Sequence, residues 1–225
     1  YLQPHCYAEY IFDHSWANAF TRAGGAYYPK MLSAVPFTPA TGPRFLTGDA
    51  DDPRAAQLRA ALTNGMTQYL DRLGLSSAHV NFLPEADIAA LSDEGWMVRS
   101  SIQFHWQNDS YTDFDAFLAA LSSRKRKNIR KERRTVAEAG VRLLRLTGAD
   151  ITTSHIDHFS RFYMSTIDRK WGGAYLTEDV FHQLHASMAD RMLLVMAEYD
   201  GRIIGGALNF IGEDALFGRD LGAHL

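Results

Sequence analysis

The 225 residues carry 23 Lys+Arg against 26 Asp+Glu, a formal net charge of -3, which excludes a protein that coats DNA through its overall charge. With 46% hydrophobic and 12% aromatic residues the chain can bury a real core, so global disorder is excluded as well. The single cysteine, Cys6, rules out an internal disulfide or a zinc–cysteine cluster and points to a reducing cytoplasm.

The chain opens in a strand-like run, "YLQPHCYAEYIFD", without an initiator Met, and stops at "ALFGRDLGAHL" just past another. Neither end has a polar fringe, so the sequence reads as an internal piece of a longer protein. Residues 1–50 read as strands and loops, with Pro36, Pro39 and Pro43 breaking "KMLSAVPFTPATGPRFLTG". A helix follows in "DDPRAAQLRAALTNGMTQYLDRLG", with Asp52 as N-cap, Pro53 in its first position and Gly74 at its end. Leu58, Ala61, Leu62, Met66, Tyr69, Leu70 and Leu73 keep its helical period. "SSAHVNFLP" predicts a short strand, "EADIAALSDEG" a short helix ended by Gly95, and "WMVRSSIQFHWQND" one or two further strands.

A second pattern begins at Tyr111. Asp113 caps "FDAFLAALSS", a strongly basic helix runs to Gly140, and "VRLLRLTG" is a strand. "SHIDHFSRFYMSTIDRKWGG" is a helix with Ile156, Phe159, Phe162, Tyr163, Thr166 and Ile167 on its inner face, and Thr177 caps another. Three strand runs close the chain, separated by the hairpin signals Asp200-Gly201 and Glu213-Asp214. Helices followed by an antiparallel meander indicate an α+β architecture. No apolar run approaches the ~18 residues of a membrane helix, so no integral membrane segment is expected.

In "SSRKRKNIRKERRTVAEAG", Arg124, Lys125, Arg126, Lys127, Arg130, Lys131, Arg133 and Arg134 crowd into barely three helical turns, within which only Glu132 opposes them. Phe114, Phe117, Leu118, Leu121, Ile129 and Val136 form the apolar stripe by which this region would dock, leaving the cations as a solvated face. Against that bland account, a helix start at Ser122 or Ser123 places cations in the first turn, where they oppose the dipole and one another. An anion, particularly a phosphate, would relieve both. "DRKWGG" sets Arg169, Lys170 and Trp171 at a helix end, either as a clamp for an anionic substrate or as a complement to the helix C-terminus. His105 and Trp106 in "FHWQND", and the Asp13–His14 pair, are weaker candidates. Among the nine histidines, His155 and His158, and His182 and His185, have i,i+3 spacing, but no carboxylate motif accompanies them, so no metal is expected. No P-loop, dinucleotide fingerprint or nucleophile elbow occurs.

The order of "EYIFDHSWANAF", "GGAYYPKMLSAVPFTPATGPRFL", "QFHWQND", "SRKRKNIRKERRTVAEAGV", "FYMSTIDRKWG", "YLTEDVF" and "LLVMAEYDGRIIGGALNFIGEDALFGRDLG" resembles the FemAB-like peptidoglycan biosynthesis/recognition proteins of the GNAT acyltransferase superfamily. The resemblance implies tandem GNAT-like domains, both truncated: residues 1–111 as the C-terminal part of the first and 112–225 as the N-terminal part of the second. Their mixed, mostly antiparallel sheets would be flanked by helices. It implies N-acyl or aminoacyl transfer to an amine, with acyl-CoA or aminoacyl-tRNA as donor and a phosphorylated or lipid-linked cell-wall precursor as substrate. Residues 41–57, "TGPRFLTGDADDPRAAQ", lack the glycine-rich loop that cradles a pyrophosphate in ordinary GNAT enzymes. The expected substrate-binding set is Lys127, Arg130, Arg169, Lys170, Trp171, Tyr175, His105 and Trp106, with no catalytic group assigned. Two alternatives stand beside it: a tRNA-binding module working through residues 123–139, and a non-catalytic protein that recognises a cell-wall precursor.

Overall fold

The computed structural model describes residues 2–4, 13–36, 38–48, 52–169, 174 and 176–223. It divides into two compact units, residues 1–102 and 103–225, and each is α+β, as the element pattern predicts.

The first unit holds a three-stranded sheet ordered β1 (Leu2–Gln3), β2 (Lys30–Ser33) and β3 (Ala78–Val80). β1 runs antiparallel to β2, and β2 runs parallel to β3. A parallel pair needs a long crossover, and helix α2 (Ala55–Leu73) supplies it. Asp52 opens α2 as a turn rather than as its cap, accepting from the Arg54 amide at 2.8 Å. Gly74 ends α2 in the left-handed region at φ 61°, and α3 (Glu85–Asp93) follows β3. The face that α2 buries carries Ala55 and Thr63, while Leu58, Leu62, Tyr69 and Leu73 stay partly exposed. Apolar period alone therefore picks the wrong face here, because Arg59 turns inward to pair with buried Asp87 at 2.9 Å.

Two local expectations are corrected. Residues 1–50 contain a helix, α1 (His14–Arg22), where the sequence suggested only strands and loops. Residues 96–109 form no strand, although "WMVRSSIQFHWQND" alternates like one. Met97 and Phe104 are more than nine-tenths exposed, and an alternating pattern becomes a strand only where a neighbour completes its hydrogen bonds.

The second unit begins with α4 (Phe114–Ala120) and α5 (Ser123–Glu138). Asp113 caps α4 by accepting from the Ala116 amide at 2.7 Å. An antiparallel sheet follows in the order β4 (Arg142–Leu146), β5 (Met192–Tyr199), β6 (Arg202–Ile211) and β7 (Leu216–Ala223). Helices α6 (Thr153–Asp168) and α7 (Glu178–Met188) lie between β4 and β5 in the chain. Asp200 and Gly201 both take positive φ in the β5–β6 turn, the geometry that a two-residue hairpin requires. Alternate residues of β5, Met192, Leu194 and Met196, are fully buried and meet Ile156, Phe159, Phe162 and Tyr163 of α6 and Phe181 of α7. This is the inner face of α6 that the helical period predicts.

Glycines at paired positions let α6 lie directly on this sheet. Gly206 and Gly222 are register partners. A Cβ at Gly222 would stand 2.6 Å from the backbone of Phe162, and one at Gly206 would stand 2.8 Å from the Met196 sulfur. The Phe162 backbone cannot yield as a flexible side chain would. Gly222→Val is therefore expected to cost about 1–3 kcal/mol by overpacking, read as a lower thermal midpoint. A midpoint equal to that of the parent would mean that α6 can lift from β7 without loss.

Candidate functional site

The basic segment forms a helix of its own. The chain leaves α4 at Leu121 in extended geometry (ψ 155°), and Ser122 restarts it as the N-cap of α5. Ser122 Oγ accepts from the Lys125 amide at 3.5 Å, and Arg124, Lys125 and Arg126 thus occupy the first turn, the arrangement that the dipole disfavours. Part of that cost is relieved within the protein. Arg126 folds back and donates to the Ala119 carbonyl at 3.0 Å, with longer contacts to those of Leu118 and Leu121. It thereby neutralises the carbonyl end of α4.

The other cations sort by what they touch. Arg130 pairs with Asp115 at 3.2 Å, Arg134 with Glu138 at 3.7 Å, and the Arg133 guanidinium lies 4.3 Å from the centre of the Phe114 ring. Among the described residues, the side chains of Arg124, Lys125, Lys127 and Lys131 have no hydrogen bond or ion pair. At about 100° per residue, Arg124, Lys127 and Lys131 form one unpaired stripe, roughly a third of a turn from the Arg126, Arg130 and Arg133 face that meets α4. No residue of α5 is buried. The docking stripe expected from the sequence is only partly used: Leu118 is buried, whereas Phe114 and Val136 are more than two-fifths exposed.

Beside α4 the rings of Trp106, Tyr111, Phe114 and Phe117 line an open hollow of about 340 Å³, completed by Asn108 and Asp113. Trp106 and Tyr111 each meet the Phe117 ring edge-on, at 5.9 and 5.5 Å between centroids. The sequence singled out Trp106 as a substrate contact, but read Phe114 and Phe117 as a docking stripe and Arg133 as one of the basic run, and did not bring them together with Trp106 and Tyr111. The available signal was the density of rings between residues 106 and 117.

The remaining expected contacts are scattered. His105 is exposed in an irregular segment. The Arg169 Nε–H donates to the Ser165 carbonyl at 3.0 Å and its Nη2 to Ala223 at 3.4 Å, which complements the end of α6. No described hydrogen bond or ion pair links Arg169 to α5. Lys170, Trp171 and Tyr175 lie outside the described residues.

In the first unit, Asp13 and His14 do not act as a pair, because Asp13 is buried and His14 exposed. Asp13 stands at the N-cap of α1 yet caps nothing. Its carboxylate accepts instead from Tyr27 Oη at 2.7 Å, from Tyr28 Oη at 3.2 Å and from Lys30 Nζ, which is itself fully buried. Burial pushes the Asp13 carboxyl up, but Lys30 and the two phenols outweigh it and hold the group below its ordinary range. The sheet register places Gln3, Lys30, Leu32 and His79 on one face. Burial, with the Lys30 charge as second cause, pushes His79 down to about 4. With its carboxylate buried and taking three donors among the described residues, this cluster ties the start of α1 to the sheet of the first unit.

The loop that lacks a glycine-rich cradle is occupied by protein groups. The Arg44 and Phe45 amides point at the Asp87 carboxylate, at 2.8 and 3.3 Å. The Arg44 side chain donates at 2.8 Å to each of the Ala40, Gly42 and Asn81 carbonyls. Asp87 thus fills the anion position that those amides create.

One mixed cluster escaped the sequence, because its parts lie on different helices. His182 Nε2 stands 3.1 Å from Asp157 and 3.9 Å from Glu178. These three residues offer ligand atoms within 4.8 Å of one another, a spacing that a divalent ion could share. All three are partly exposed, and the same contacts tie α6 to α7 as ion pairs once His182 is protonated.

A FemAB-like family model, described as peptidoglycan biosynthesis/recognition, matches residues 1–225. No curated protein matches the chain. No helix among the described residues is long and apolar enough to cross a membrane.

Proposed function

The chain belongs to the FemAB-like family of peptidoglycan biosynthesis/recognition, and from that membership we propose that it transfers an acyl or aminoacyl group to an amine of a cell-wall precursor. In this reading its two units are tandem GNAT-like domains, and α5 holds the phosphate of a phosphorylated donor or acceptor. The donor is an acyl-CoA or an aminoacyl-tRNA. The amine nitrogen attacks the acyl carbonyl carbon, the thioester C–S or ester C–O bond breaks, and the amine proton leaves with the departing sulfur or oxygen. Such a reaction needs no enzyme nucleophile. It needs the two reactants aligned, donors toward the developing oxyanion and a route for the proton. Arg169, Lys170, Trp171, Tyr175 and His105 are proposed as further substrate contacts.

The observation that carries this reading is the unpaired stripe of α5. Its cations, Arg124, Lys127 and Lys131, repel one another and the helix dipole, and among the described residues they are not spent on the fold. A bound phosphate turns that repulsion into charge-assisted hydrogen bonds worth roughly 1.5–3 kcal/mol each. The triple substitution Arg124→Ala, Lys127→Ala and Lys131→Ala is expected to weaken pyrophosphate binding at least tenfold in calorimetry. Its thermal midpoint should stay close to the parent's, because exposed cations contribute little to stability. Unchanged pyrophosphate affinity would remove α5 from the site.

The open face of α5 also favours a second reading, a grip on tRNA. In that case affinity for tRNA falls steeply with salt, and the triple substitution flattens the slope. A donor that is itself an aminoacyl-tRNA would make the two readings one.

A further inference from the structure

The hollow beside α4 and the face of α5 that meets it restrict what can bind there. Trp106 and Phe114 expose 64% and 42% of their surface, so the rings are open to a ligand. The hollow, about 340 Å³, falls in the size range of small-molecule sites. Aromatic cups of this kind take either an ammonium group or a planar ring. Charge decides between them. Arg133 lies against Phe114, one of the lining rings, and among the described residues its guanidinium has no hydrogen bond or ion pair. An ammonium group would meet that charge and those of Arg126 and Arg130 on the same helical face. Asp113 offers weak compensation, since one of its oxygens is spent on the Ala116 amide. A ligand with a planar ring and an attached anion meets no such penalty.

We propose that this hollow is a nucleotide subsite, in which the base stacks among Trp106, Tyr111 and Phe117 and the phosphate is held by Arg133. A stacked guanidinium with free N–H groups is a pre-set fork for phosphate oxygens. The Asn108 carbonyl accepts from the Tyr111 amide at 2.9 Å, which leaves its NH2 to donate to a base edge. The proposal rests on the reading of α5 as a phosphate-binding helix and names the class of ligand, since acyl-CoA and aminoacyl-tRNA both carry a nucleotide.

The test compares AMP with ribose 5-phosphate, which has the same phosphate and no base, by calorimetry and tryptophan fluorescence on the whole chain. AMP is expected to bind at least tenfold more tightly. Trp106→Ala should reduce AMP to the level of ribose 5-phosphate, while Trp106→Phe, which keeps a ring, should retain most of the preference. Arg133→Ala should weaken both ligands about tenfold or more. Tighter binding of adenosine 3′,5′-bisphosphate than of AMP would assign the subsite to a CoA-type donor, and equal binding to the terminal nucleotide of a tRNA. Equal affinity for AMP and ribose 5-phosphate, or a preference that survives Trp106→Ala, overturns the proposal. In either case pyrophosphate binding that still depends on Arg124, Lys127 and Lys131 would leave the function reading standing. Independence of pyrophosphate binding from those residues, with AMP still requiring Trp106 and Arg133, would sink that reading alone.

Discussion

Lys30→Met is expected to destabilise the first unit by about 3–5 kcal/mol, the usual penalty for leaving one member of a buried ion pair behind. In a unit of about a hundred residues that lowers the thermal midpoint by roughly 15 °C or more. Lys30 is fully buried, and Asp13 exposes only 1% of its surface. Without the ammonium group the Asp13 carboxylate retains the Tyr27 and Tyr28 hydroxyls but loses its countercharge. It must then either stay charged in a poor environment or take up a proton. The Lys30 ammonium also lies 5.5 and 5.7 Å from the Tyr27 and Tyr28 ring centres, so the substitution removes two cation–π contacts as well. Adding Asp13→Asn removes the orphaned charge, and the double variant should regain much of the loss. A single variant as stable as the parent would show that the pair is dispensable. A double variant no better than the single would place the cost in packing instead of charge.

How far the sequence could reach depends on the distance over which each feature is encoded. Asp113, Ser122 and Asp200-Gly201 signal caps and a turn within a few residues, and each performs that role. The inner face of α6 was legible because Ile156, Phe159, Phe162 and Tyr163 meet one sheet through a single helical period. The face of α2 was misread because its inward positions include Arg59 and Thr63, and Arg59 answers to Asp87, 28 residues away. Residues 96–109 alternate correctly for a strand but pair with no strand among the described residues, and a partner is something no local pattern can supply. The Asp13–Lys30 pair spans 17 residues, and the fold brings His79 onto the same sheet face. The sequence offered only "FDH" and "YYPK", neither of which names the other. The candidate site shows the same division. The cation run and Trp106 stood out in the sequence, whereas the seating of Arg133 on Phe114 depends on how α4 packs against α5. Neither helix encodes that packing alone.

Between pH 6.5 and 4 the chain is expected to lose stability, and most of that loss should trace to His79. Its imidazole titrates at about 4 in the folded unit against 6.5 when free. Burial dominates the shift, the positive charges of Lys30 and Arg99 add to it, and Asp13 opposes it. Ser77 Oγ meets Nε2 at 3.2 Å, a contact that the neutral ring can make. In this window the unfolded chain binds a proton at position 79 and the folded chain does not, so stability rises with pH. The contribution is complete above 6.5, falls as the pH drops toward 4, and levels off below that. At about 1.4 kcal/mol per unit the full loss is on the order of 3 kcal/mol, reduced where residual exposure screens the site. His158 also sits below its ordinary value, through burial and then the neighbouring Arg161, and adds a change of the same sign in the second unit. Asp13 works lower still. Its depressed carboxyl gives stability that is present above the ordinary carboxylate range and is lost only as pH falls through its folded value, below the His79 window. His79→Gln, which keeps an amide beside Ser77 and cannot take the proton, separates these contributions. Denaturant titrations at intervals from pH 7 to 4 should show the parent losing about 2–3 kcal/mol more than the variant. Parallel curves for the two proteins would mean that position 79 takes up its proton equally in the folded and unfolded chains.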